Sequence, residues 1–203
     1  MTKLAIAFAV AACGGSVPAT HYYALPSPPA QVRPGNGPTL AIETLDAARP
    51  YDDDRMIYRV DSYRVDFYEY HRWAAPVGAL VADYLGGAFA RSGRFRAVAR
   101  GPEAQGALAI SGRVVALEEI DATPNVWFGR VAVSLVATDR ATGEVVWTEQ
   151  LDERVAMPTR SPDGLARAVG AALALVAEHA IPKLAALDVG NRAPPTQASA
   201  AAP

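Results

Sequence analysis

An α+β fold is what this sequence predicts: a largely antiparallel β-sheet with two helices packed on one face, a two-layer sandwich. Three observations carry that reading. Several segments alternate apolar and polar residues, two others repeat apolar residues at three- and four-residue steps, and a block of strands separates those two. A chain of 203 residues suits one domain. At that size a fold buries roughly two-thirds of its unfolded surface without disulfide staples.

The N-terminus differs from the rest. Met1-Thr2-Lys3 supplies one positive charge, Leu4 to Ala12 is uninterrupted apolar sequence, and Val10-Ala11-Ala12-Cys13 reads as a lipobox. A charged end, an apolar run and small residues at a cut site are the parts of a secretory signal. Residues 1–12 are therefore expected to be a lipoprotein signal peptide, with Cys13 acylated and left as the new N-terminus. Cleavage by the ordinary signal peptidase, which would release a soluble protein, is the alternative. The run is about half the ~20 apolar residues a spanning helix needs, so the reading is anchored rather than spanning. Each buried CH₂ contributes roughly 0.8 kcal/mol, and stable anchoring takes more than one chain. Cys13 is the single cysteine, so no disulfide framework and no thiolate metal site is expected.

Residues 13–38 carry six prolines and several glycines, the composition of an extended linker, with a short strand near 21–25 at His21-Tyr22-Tyr23-Ala24-Leu25. The domain proper is placed at 39–188. Leu40 and Ile42 alternate in its first strand. Met56, Tyr58 and Val60, then Tyr63, Val65 and Phe67, flank Asp61-Ser62 as a hairpin. Pro76 opens a helix whose apolar face runs through Val77, Leu80, Val81, Tyr84, Leu85 and Phe89, and Ser92-Gly93 ends it. Gly86-Gly87 inside that helix implies a close-packed neighbour. Strands around Leu108–Val114, Trp127–Leu135 and Val145–Val155 form an antiparallel meander, with Thr142-Gly143 as its second turn. Ser161-Pro162-Asp163 caps a second helix with apolar residues from Leu165 to Ala180, and Pro182 stops or kinks it. Residues 189–203, rich in Ala, Pro, Ser and Gln, read as a disordered tail.

Chemistry-bearing patterns are sparse. The net charge is −2, and −3 once Lys3 leaves with the signal. With basic residues dispersed, nucleic-acid binding is not expected. His21, His71 and His179 show no metal-ligand spacing, and neither a phosphate loop nor a nucleophile elbow is present. Glu118 and Glu119 adjoin on a strand, so they point to opposite faces and cannot pair as acid and base unless a bulge intervenes. Asp52-Asp53-Asp54 reads as a solvated turn. The expectation is no enzyme, no metal and no cofactor.

The densest stretch runs from Asp54 to Trp73, where aromatics interleave with arginines and acids. Here the chain resembles the ABC-type transport auxiliary lipoproteins (PqiC-like). The resemblance is carried by the lipobox, by Tyr22-Tyr23-Ala24-Leu25 and by the Arg55–Arg59 hairpin strand. Arg72-Trp73-Ala74-Ala75-Pro76 and Gly93-Arg94-Phe95 complete it. It implies an accessory role in envelope lipid transport, beside a mammalian-cell-entry (MCE) domain protein and its ABC permease and ATPase. The implied address is the outer membrane, lipid-anchored and facing the periplasm, and Gly14 after the cysteine agrees with it. Arg55, Arg59, Tyr68, Tyr70 and Trp73 are candidate partner-binding residues, for the transporter or for identical subunits, because Arg and Tyr are favoured at interfaces. The competing reading is that they staple the hairpin to the first helix. Two other functions stay open: an independent lipid- or solute-binding periplasmic lipoprotein, and an outer-membrane assembly lipoprotein.

Overall fold

A computed structural model describes residues 17–26, 34–101 and 103–189. The expected signal peptide, Cys13 with its expected acylation, and the expected tail from residue 190 on lie outside the described residues. The strands are β1 (His21–Tyr23), β2 (Gly37–Ile42), β3 (Asp46–Ala47), β4 (Arg55–Arg59), β5 (Val65–Trp73), β6 (Phe95–Arg100), β7 (Leu108–Thr123), β8 (Val126–Asp139) and β9 (Val145–Met157). The helices are α1 (Val77–Arg91) and α2 (Pro162–Ala185).

The long strand β7 is the spine of the sheet. One of its edges pairs antiparallel with β8 along its whole length, and β8 pairs antiparallel with β9. The other edge is taken in turn by β2 at Leu108–Ile110, β3 at Arg113–Val114 and β4 at Glu118–Ile120. Residues 37–59 thus behave as one interrupted strand running parallel to β7. Outside them, β6 pairs parallel with β2, β5 antiparallel with β4, and β1 parallel with β5.

The expectation of a largely antiparallel sheet is corrected here: the sheet is mixed. Its meander β7–β8–β9 and its β4–β5 hairpin are antiparallel, whereas the other pairings are parallel. Alternation of apolar residues reports which face a side chain takes, not the direction of the neighbouring strand. The strand β6 was also not expected. Its sequence Phe-Arg-Ala-Val-Ala-Arg carries small and charged residues that mute the alternation, a composition suited to an outer edge.

Both helices cover one face. The N-terminus of α1 sits so close to the β2–β3 connection that a Cβ on Gly78 would lie 1.9 Å from the Leu45 carbonyl oxygen. Gly86 has the neighbour its position implied, the Arg100 stem of β6, whose guanidinium continues to Asp83 at 2.7 Å. Pro76 is the N-cap of α1 rather than its first residue, and Gly93 takes a left-handed φ of 64° just past its end. Ser161 caps α2 by accepting from the Gly164 amide at 3.0 Å. Pro182 does not stop the helix, which continues to Ala185.

By length and hydropathy α2 could cross a membrane. Its buried stripe Leu165, Val169, Leu173 and Val176 instead lies on the sheet, which makes it a core helix. It rests directly over Gly129 of β8, where a Cβ would stand 2.6 Å from that of Ala168. The main core fills the space between helices and sheet. On the uncovered face a small cluster forms from Tyr51, Ile57, Ala116 and Ala132.

Candidate functional site

Glu118 and Glu119 of β7 point to opposite faces, as adjacent strand residues must, and both are fully buried. A buried carboxylate is costly unless paired and hydrogen-bonded. Each one gathers its own partners, and together they fix the β4–β5 hairpin in place.

Glu118 faces the side without helices. Its cross-strand neighbours are Ile57 of β4 and Arg130 of β8. The Tyr51 hydroxyl donates to Oε2 at 2.5 Å, Arg59 Nε reaches both oxygens at 3.1 and 3.0 Å, and Arg130 Nη1 reaches Oε1 at 3.0 Å. The loop between β3 and β4 folds down to deliver Tyr51, whose amide donates to the Ala48 carbonyl at 2.7 Å. Burial, then the bond to Glu118, pushes the Tyr51 hydroxyl up to about 12. Arg130 continues to Asp152 of β9 as a fork, at 2.9 and 2.6 Å, and that fork holds the Asp152 carboxyl below its usual range.

Glu119 faces the helix side, near the start of α2. Tyr68 of β5 donates to Oε2 at 2.8 Å and Arg160 Nε to Oε1 at 2.9 Å, while Arg160 Nη2 reaches Asp121 at 2.7 Å. The Arg160 guanidinium lies 5.1 Å from the Tyr58 ring centroid. Burial raises the Glu119 pKa, and the bonds from Arg160 and Tyr68 oppose that rise. Tyr68 is raised too, by burial first and then by its bond to Glu119.

An aromatic run joins this network to the sheet edge. Tyr58 meets Tyr68 at 5.2 Å between centroids, Tyr68 meets His71 at 5.9 Å, and His71 stacks on His21 of β1 at 5.4 Å. Tyr23 and His71 share a hydrogen bond of 3.0 Å. Sequence spacing gave no hint that His21 and His71 meet. Burial, followed by the nearby His21, lowers the His71 pKa. Among the described residues no group of three or more His, Cys, Asp or Glu is placed to hold a metal.

The five candidate partner residues separate into four environments. Arg55 binds Asp53 at 2.6 Å and lies 5.1 Å from the Phe67 ring; Arg72 lies 5.9 Å from the same ring and 3.7 Å from Asp54. This Arg–Phe–Arg stack sits on the uncovered face with Phe67 exposed. Tyr70 keeps part of its surface in solvent. Arg59 and Tyr68 are committed to Glu118 and Glu119, and Trp73 is fully buried in the main core. Sequence reasoning missed Tyr51, Arg130 and Arg160 as partners of the two acids. The signal was present, since two carboxylates in the run Val114–Ile120 have to find cations.

A groove of about 540 Å³ lies beside this region, lined by Tyr23, Ala24 and Pro26, by Tyr84 of α1, and by small residues of α2 together with Asp163 and Arg167. The Tyr84 hydroxyl closes one side by donating to the Gly170 carbonyl at 3.0 Å.

Comparison with solved structures defines the class, a two-layer α+β domain with a mixed sheet. The crystal structure of a Xanthomonas campestris protein superposes with a TM-score of 0.67 at 20% identity, over 80% of this chain and 92% of that one. An uncharacterized protein superposes at 0.65 and 11% identity, over 82% and 99%. The PelC dodecamer subunit of Paraburkholderia phytofirmans aligns more loosely, at 0.45 and 18% identity over 73% and 89%. No curated protein matches the sequence. Residues 23–180 match the ABC-type transport auxiliary lipoprotein component family, and the chain belongs to that family.

Proposed function

We propose that this protein is a lipid-anchored, non-enzymatic accessory component of an MCE-type ABC system for envelope lipid transport. In this reading it faces the periplasm from the outer membrane, held through Cys13. The observation that carries it is the family membership over residues 23–180, together with the way the polar groups are used. Both buried carboxylates are saturated by internal donors, so they brace a surface rather than meet a substrate. The surface they brace is the outer side of the β4–β5 hairpin, where Arg55 and Arg72 both lie against Phe67, and Tyr70 of the same strand β5 is partly exposed. Cations stacked on an aromatic ring are favoured where a partner excludes water.

The test is affinity purification of the full-length protein from membranes in mild detergent, with mass spectrometry of what accompanies it. The expected companions are an MCE-domain protein with its permease and ATPase. Arg55→Glu with Tyr70→Ala should remove them while leaving the melting temperature unchanged. A folded double variant that retains every companion would refute the assignment of this surface. The apolar groove favours a second reading, an independent lipid or solute carrier. Native mass spectrometry would then find a lipid bound to the protein alone.

A further inference from the structure

We infer that the end of the sheet formed by the β4–β5 and β7–β8 turns is a membrane seat: a surface that rests in the headgroup layer of the bilayer holding the protein. Topology brings these turns together. Because β4 runs parallel to β7, with Arg59 opposite Ile120, both hairpins turn at the same end of the sheet. Their centres are separated by two strand spacings, about 10 Å. The chain also reaches β1 from this end, because β1 runs parallel to β5 and β5 leads away from its turn.

Exposed apolar side chains gather here. Tyr63 is 99% exposed at the tip of the first turn, Val65 36% exposed beside it, and Val126 41% exposed at the second. Tyr63 is held outward by design of the turn: the Asp61 carboxylate accepts from the Tyr63 and Arg64 amides, both at 2.8 Å. A tyrosine with an apolar ring and a polar tip suits the membrane–water interface. At the opposite end the β8–β9 turn has one such residue, Val145, 61% exposed, which serves as the control position.

The occupant follows from the tether. The inference rests on Cys13 being the lipid anchor, and Cys13 cannot stand more than about 14 Å from Val17, at no more than ~3.6 Å per residue. The chain before His21 heads from β1 toward these two turns, because β1 runs parallel to β5, and we place the bilayer gripped through it on that side. The first turn is net negative, with Arg64 against Asp61 and Asp66, so the seat rests on its apolar side chains and not on attraction to anionic lipid.

The test uses the full-length protein in vesicles of phosphatidylethanolamine and phosphatidylglycerol. Acylation consumes the only native thiol, so Tyr63→Cys, Val126→Cys or Val145→Cys gives one position for a nitroxide label. Power saturation with oxygen, which enters lipid, and with a nickel chelate, which stays in water, reads the depth of each label. Labels at 63 and 126 should respond to oxygen and be shielded from the chelate, while the label at 145 should respond to the chelate. Vesicle flotation with labels 63 and 126 in water overturns the membrane seat and leaves the anchor reading intact. Labels shielded from both reagents overturn it as well, because a protein surface then covers the turns. A parent protein that takes up the label and fails to float overturns the anchor reading, and the seat with it.

Discussion

Replacing Glu118 with alanine removes the anion on which Tyr51, Arg59 and Arg130 converge. The two arginines then face each other across β7, and the buried Tyr51 hydroxyl loses its acceptor. Removing one member of a buried ion pair costs about 3–5 kcal/mol. Arg59 and Arg130 keep 27% and 21% of their side chains exposed, so water relieves part of that loss. The expected cost is about 3 kcal/mol, the lower end of that range. For a domain of this size it lowers the melting temperature by about 6–12 °C. Denaturant unfolding of Glu118→Ala, Arg59→Ala and the double variant measures it, and the double variant should cost less than the two singles together. Tyr51→Phe should cost about 1.5–3 kcal/mol, because it removes the bond to the Glu118 carboxylate and the acceptor of Arg59 Nη2. A cost under about 1 kcal/mol for Glu118→Ala, or strict additivity with Arg59→Ala, would refute the bracing role.

Gly129→Ala should destabilise by about 1–3 kcal/mol, because its methyl group would enter the space held by Ala168; unfolding measurements check it. Ser161→Ala should cost about 1 kcal/mol by releasing the Gly164 amide, read as a shift in the same transition. The acid limb has two opposing contributions. The folded Asp152 pKa is depressed, so its stabilisation is present above the ordinary carboxylate range and is lost as pH falls through the folded value. Glu119 is raised, so the unfolded chain ionises first and stability declines as pH climbs from the ordinary glutamate range through the folded value. Thermal melts across the acid range should show Asp152→Asn flattening the first change and Glu119→Gln the second.

The helices were legible because their signals are local. Ser161-Pro162 marks the start of α2, and Val77 to Phe89 spells out one face of α1. The meander was legible for the same reason, from its alternating runs and the Thr142-Gly143 turn between the last two. What stayed hidden depends on partners distant in the chain. Nothing near Leu40, Asp46 or Ile57 says that all three stretches share one edge of β7. The alternation of Tyr63, Val65 and Phe67 starts the strand too early, since Tyr63 lies in the turn and β5 begins at Val65, and it resembles a core face while all three side chains are exposed. Helices cover one side of the sheet only, so an alternating strand has an apolar row with no second layer to meet. Of the candidate site, the opposite orientations of Glu118 and Glu119 were readable from period-two geometry. Their donors were not, because Tyr51, Arg130 and Arg160 arrive from a loop, a neighbouring strand and the approach to α2.

The two turns would hold a free domain on a bilayer only weakly. Burying a side chain such as valine completely contributes about 1.5–3 kcal/mol, and the turns offer Tyr63, Val65 and Val126 with partial insertion. A total near 4 kcal/mol corresponds to a dissociation constant of about 1 mM, too weak for stable attachment. A short flexible tether changes the comparison, because it presents the surface at an effective concentration of about millimolar order. The same contacts that fail to recruit the domain then suffice to orient it once it is anchored. Cys13→Ser should therefore stay in solution when mixed with vesicles, with labels at 63 and 126 responding to the water-soluble chelate. The acylated protein should float with the same two labels in lipid. A Cys13→Ser protein that floats as well as its parent would mean that the turns bind lipid far more tightly than their exposed area allows.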